Sequence, residues 1–99
     1  MLESQCGEQI RVGKAGVQRA LMAPVAATEG GKADYAMVYC PEKDIYISRD
    51  GAGQRSCTFH VMWWTDSKDD DTRKSKDFTF KERDKAIALF LKLVKKLYD

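Results

Sequence analysis

Only one stretch of this chain has a strong 3.6-residue apolar period, and it comes last. Between Glu82 and Tyr98, the residues Ile87, Phe90, Val94 and Leu97 or Tyr98 fall on one helical stripe, with Leu91 and Leu93 at its margins. Glu82 and Asp84 stand near the start of this helix, and Lys92, Lys95 and Lys96 near its end, which suits the helix dipole. A helix with a single apolar stripe needs a surface to lie on. Burying the stripe is worth roughly 1.5–3 kcal/mol per large side chain. With 99 residues the chain is read as a single domain over 1–99 with room for one modest core, so the rest of the sequence has to supply that surface.

Short β-rich runs separated by turn residues precede the helix. Asp34–Cys40 and Ile45–Arg49 flank Pro41-Glu-Lys-Asp44, where proline sets φ at the second turn position. Asp50-Gly-Ala-Gly53 forms the next turn, leading into the longest strand candidate, Ser56–Asp66, with the sequence SCTFHVMWWTD. Residues 67–76 read as a loop too charged to bury, and Asp77–Phe80 as a brief strand. Upstream, the apolar run Val17–Thr28 meets Gly30-Gly31, which reads as a hairpin between apolar runs. Residues 1–19 have no clear period and leave three forms open: a flexible arm over 1–16, a short helix over Glu8–Val12, or an edge strand. Strands first, helix last and short connections together imply an α+β fold, an antiparallel β-meander of three to five strands with the C-terminal amphipathic helix packed on one face.

Strand alternation then sorts the side chains. In SCTFHVMWWTD, Cys57, Phe59, Val61 and Trp63 share one face, uniformly apolar and suited to the helix, while Thr58, His60, Met62 and Trp64 share the other. If Ala36, Val38 and Cys40 join the helix side, the opposite face collects Tyr35, Tyr39, Tyr46, His60, Met62 and Trp64. These six residues are the candidate partner-binding face, because Tyr, Trp and Met are enriched at interface cores. Two other readings of that face stand beside this one. The first thirty residues could fold over it as a second core layer, or its aromatics could stack nucleic-acid bases.

Composition excludes more than it assigns. The net charge of +2 implies no partner, although residues 51–99 carry eleven Lys/Arg against eight Asp/Glu while residues 1–50 carry six against seven. Arg73, Lys74, Lys76, Lys81 and Lys85 form a basic cluster, the candidate contact for single-stranded DNA or RNA if the domain binds nucleic acid. Cys6, Cys40 and Cys57 are odd in number and lack CxxC spacing, which suggests neither a disulfide framework nor a redox motif. Parity places Cys57 and His60 on opposite faces, which weakens them as a metal pair or as nucleophile and base. Asp66 and Asp69-Asp70-Asp71 lack the alternating ligands and closing Glu of a calcium loop. Gly51-Ala-Gly53 precedes a strand and lacks the Gly-Lys-Ser/Thr ending of a phosphate loop. No acid, base and nucleophile assemble, so no catalytic residue, metal ligand or cofactor is expected.

No apolar run approaches the ~20 residues of a membrane span. The run Ala20–Ala27 is broken by Pro24, and Glu3 and Glu8 stand where a secretory leader is positive, so an intracellular, cytoplasmic setting is expected. The ending Phe78-Thr-Phe-Lys-Glu-Arg-Asp-Lys-Ala-Ile87 resembles the end of WGR domains. Trp63-Trp64-Thr65 stands where Trp-Gly-Arg would, so the resemblance brings no site residue to this chain. The expectation is a non-enzymatic interaction module that binds a protein partner or a second copy of itself.

Overall fold

The computed structural model describes residues 2–4, 7–27, 35–51, 56–66 and 68–98. The fold is α+β. Six antiparallel strands, β1 (Leu2–Ser4), β2 (Gln9–Ile10), β3 (Tyr35–Cys40), β4 (Ile45–Asp50), β5 (Thr58–Trp64) and β6 (Arg73–Thr79), form one sheet in the order β2-β1-β3-β4-β5-β6. Helix α1 (Lys14–Ala27) joins β2 to β3, and helix α2 (Arg83–Tyr98) closes the chain. β3 to β6 are the expected meander. β2 and β3 both run antiparallel to β1, so they are parallel to each other, and α1 is the crossover such a pair requires.

The register fixes two faces. Ile47 pairs with Val38 on one side and Val61 on the other, and Arg49 pairs with Ala36 and Phe59. These residues, with Cys40, Ile45 and Phe78, are buried beneath Val17 and Leu21 of α1 and Ala86, Ile87, Phe90 and Val94 of α2. α2 lies on β4, β5 and β6, and α1 on β3 and β2, so the two helices share one face of the sheet. Trp63 is half-buried and packs against this core, as its parity requires.

Three departures from the sequence reading have physical causes. The sheet has six strands because β1 and β2 extend it beyond the meander; residues 2–4 and 9–10 take the strand form and Glu8–Val12 is not helical. The apolar run from Val17 is helix rather than strand. Val17 and Leu21, four apart, bury on one side, while the alanines around them blur the period. The Gly30-Gly31 hairpin lies outside the described residues. Residues 73–76, read as loop, are strand: an edge strand needs backbone pairing to β5 but no burial, and all four remain exposed. The turn glycine Gly51 has φ +96°, and a Cβ there would stand 3.3 Å from the Cys57 backbone.

Arg49 is a charged residue that parity carries to the buried face, in line with Ile45 and Ile47. It sits on the apolar face of β4, fully buried. Its Nε donates to the Leu21 carbonyl at 2.7 Å, and Nη1 donates to the Gly51 carbonyl. Pro24, inside α1, has no N–H to offer the carbonyl of Ala20, one residue before Leu21. The guanidinium therefore meets α1 at the turn where proline interrupts its ladder. At the start of α2, the Glu82 carboxylate accepts from the Thr79 N–H (3.3 Å) and hydroxyl (3.1 Å). The Thr79 backbone bond, then its hydroxyl, holds the Glu82 carboxyl below its usual range. This support is complete above the ordinary glutamate range and fades as pH falls through the lowered pKa.

Replacing Arg49 by Ala removes donors from two backbone carbonyls and opens space in the core. A loss of about 3 kcal/mol is expected in urea denaturation, on the scale of hydrogen bonds to a charged group. Lys in its place recovers little of that loss, because an ammonium cannot reproduce the fork that reaches both helix and turn.

Candidate functional site on the open sheet face

On the face away from the helices, strand alternation presents Glu3 of β1; Tyr35, Met37 and Tyr39 of β3; Tyr46, Ser48 and Asp50 of β4; His60, Met62 and Trp64 of β5; and Arg73, Ser75 and Asp77 of β6. Every one of these residues is half-buried or exposed, whereas their neighbours of opposite parity on the three central strands are buried, apart from the half-buried Trp63. Tyr35 is 43% exposed. Residues 2–4 and 7–27, the described part of the first thirty, add strands to one edge and a helix to the other face. Among the described residues, no helix packs over this side.

The six aromatic and polar residues expected to share this face do so, and three of them touch. Tyr39 and Tyr46, opposite each other on β3 and β4, stack with ring centroids 5.8 Å apart and planes 19° apart. Trp64 meets Tyr46 edge to face at 5.7 Å and 75°. Such pairs contribute about 0.5–1.5 kcal/mol beyond their buried area, so the row Tyr39–Tyr46–Trp64 is a preorganised aromatic surface rather than three independent side chains. Met62, opposite Tyr46 on β5, lies beside it in the same row. Tyr35 stands apart from this row, opposite Asp50, where desolvation and then the charge of Asp50 raise its pKa.

Carboxylates hold the polar ends of these groups. Tyr39 donates its hydroxyl to Glu3 Oε2 at 2.6 Å, and Trp64 Nε1 donates to Asp70 Oδ1 at 3.2 Å. His60 lies between two acids: Nδ1 is 2.6 Å from Asp77 Oδ1 and Nε2 is 2.7 Å from Asp50 Oδ2. A neutral imidazole donates from only one nitrogen, so both bonds are donated together only by the imidazolium. The sequence offered His60 no partner because both acids arrive across strand registers, ten and seventeen positions away. Asp50 and Asp77 are the site residues that sequence reading missed. Strand parity puts Asp50 on this face, but only the β5–β6 pairing brings Asp77 to it.

The basic cluster does not form one patch. Arg73 shares the open face, opposite Trp64; Lys74 and Lys76 alternate to the helix side of the edge strand, where Lys76 stands 5.4 Å from the Phe78 ring. Lys81 falls in the turn before α2 and Lys85 within α2, both exposed. The helix layer carries its own lysines: Lys14, Lys92, Lys95 and Lys96, together with Asp84, line an open groove with Ile87, Ala88 and Leu91. In the acidic turn, Asp66 and Asp69 accept backbone N–H groups of Lys68 and Asp71, both at 3.0 Å. These carboxylates shape the β5–β6 connection. Among the described residues, no group of three or more His, Cys, Asp or Glu could hold a metal ion, and no helix is long and apolar enough to cross a membrane.

No family model, curated protein or solved structure significantly matches the chain.

The Glu3 bond is the largest cause of a raised Tyr39 pKa, because the neutral phenol donates to the carboxylate and the phenolate would face it. Tyr39 is therefore expected to ionise above the usual tyrosine value of about 10, and Glu3→Ala to bring it back down. Ultraviolet titration of the two proteins measures this. The tether between β1 and β3 holds below that pKa and is lost above it.

Proposed function

We propose that this protein is a non-enzymatic interaction module whose open sheet face, Tyr35, Tyr39, Tyr46, His60, Met62 and Trp64, docks a protein partner or a second copy of the chain. One observation carries the reading: both helices lie on the same side of the sheet, which leaves the Tyr39–Tyr46–Trp64 row on the other. Large apolar and aromatic surfaces on small domains mark interaction sites, and Tyr, Trp and Met are the residues enriched at the centres of such interfaces. Neighbouring rings that already pack against one another lose little side-chain freedom on docking, which lowers the entropic cost of binding.

A peptide-display selection against the protein, counter-selected with Tyr46→Ala and Trp64→Ala, tests this directly, with light scattering across a concentration series for self-association. Binders, or a dimer, that both substitutions weaken at least tenfold are the expected result. A monomer at all concentrations from which no face-dependent binder can be selected would sink the reading.

A further inference from the structure

We propose that the partner of the open face is a cationic protein segment, with an Arg or Lys side chain seated over the Tyr46–Trp64 corner. This rests on the docking reading above and adds the chemistry of what docks. The two recorded hydrogen bonds from this aromatic row, those of Tyr39 and Trp64, both end on a carboxylate, Glu3 at one end and Asp70 at the other. A ring that donates its polar hydrogen to an anion gains electron density on its face, and the face of an electron-rich ring attracts cations. Tyr46 and Trp64 stand nearly perpendicular and meet edge to face, so the end of the row turns a corner between the two rings. Asp50, on the strand that carries Tyr46, and Asp77, on the strand next to that of Trp64, lie farther along the same face around His60, with side chains 52% and 75% exposed.

The charge around the row selects among occupants. Among the described residues, Glu3 and Asp70 stand at the two ends of the row and Asp50 and Asp77 farther along the same face, against the guanidinium of Arg73 and the imidazole of His60. A nucleic-acid backbone or an acidic peptide laid here would meet like charge, and Lys74 and Lys76, which could offset it, point to the other side of β6. A second copy docked face to face would set the same acids against themselves. A basic segment meets opposite charge at both ends of the row and beside it at Asp50 and Asp77, and Lys and Arg stems can lie on the rings while their heads reach the carboxylates. Arg73, opposite Trp64, is the built-in competitor for that corner among the described residues.

The test uses four probes on the whole chain: ten-residue Arg-Gly and Lys-Gly peptides, a Glu-Gly peptide and an oligothymidylate of similar length. Tryptophan fluorescence and amide NMR shifts provide the readouts. The two basic peptides are expected to bind and to shift Tyr39, Tyr46, Met62 and Trp64. Binding should weaken about tenfold with Glu3→Gln plus Asp77→Asn, and more with Tyr46→Ala. Arg73→Gln should tighten binding severalfold, a gain that loss of folding cannot imitate. Equal or tighter binding of the acidic peptide or the oligonucleotide, basic-peptide shifts confined to the helix layer, or indifference to Arg73→Gln would overturn the proposal. Display-selected binders that need Tyr46 and Trp64 but carry no Arg or Lys would remove the cationic partner while leaving the docking face intact. Absence of any face-dependent binder would remove both.

Discussion

The row Val38–Ile47–Val61, running across the three central strands, is the constraint on which the rest depends. These three side chains are buried together under the helices, and side chains alternate without exception along each strand. A one-residue slip at any of the three would turn an apolar set to solvent and an aromatic, carboxylate-bearing set into the core. The burial that anchors α2 therefore also determines which tyrosines, which tryptophan and which acids reach the open face. Stability and the candidate site are two sides of the same register.

Arg49 and α1 depend on each other in a similar way. A charged side chain on the apolar side of a central strand needs acceptors, because burying an unpaired charge is costly. α1 supplies the Leu21 carbonyl and the following turn supplies the Gly51 carbonyl. Gly16 lets the first turn of the helix come close to β2: a Cβ there would stand 3.2 Å from Ile10 Cγ2 and from the Arg11 carbonyl. The Lys14–Asp84 pair, 3.6 Å apart and exposed, adds a contact between the helices that is worth little by itself.

The helical period of α2 and the alternation of β3, β4 and β5 were legible in the sequence, because each depends on neighbours two to four residues away. Trp63 and Trp64 separate to opposite faces by that alternation alone. What escaped the sequence depends on long-range pairing. α1 is rich in alanine and contains a proline, so its apolar side emerges only once Val17 and Leu21 have a sheet to bury against. β6 was hidden by charges that an edge strand tolerates. The acids around His60 and the bond from Tyr39 to Glu3 exist only because particular registers bring them together, and no local pattern announces a register.

The two layers also differ in sign. Lysines gather on the outer side of the helices, and carboxylates gather around the aromatics on the other side of the sheet. A net charge of +2 conceals this, because the opposing groups largely cancel in the sum. They do not cancel in space: among the described residues, lysines lie on the helix side and carboxylates around the aromatics on the other. Within a Debye length of about 10 Å at ordinary salt, such a separation of charge biases how a molecule turns toward a charged surface before contact.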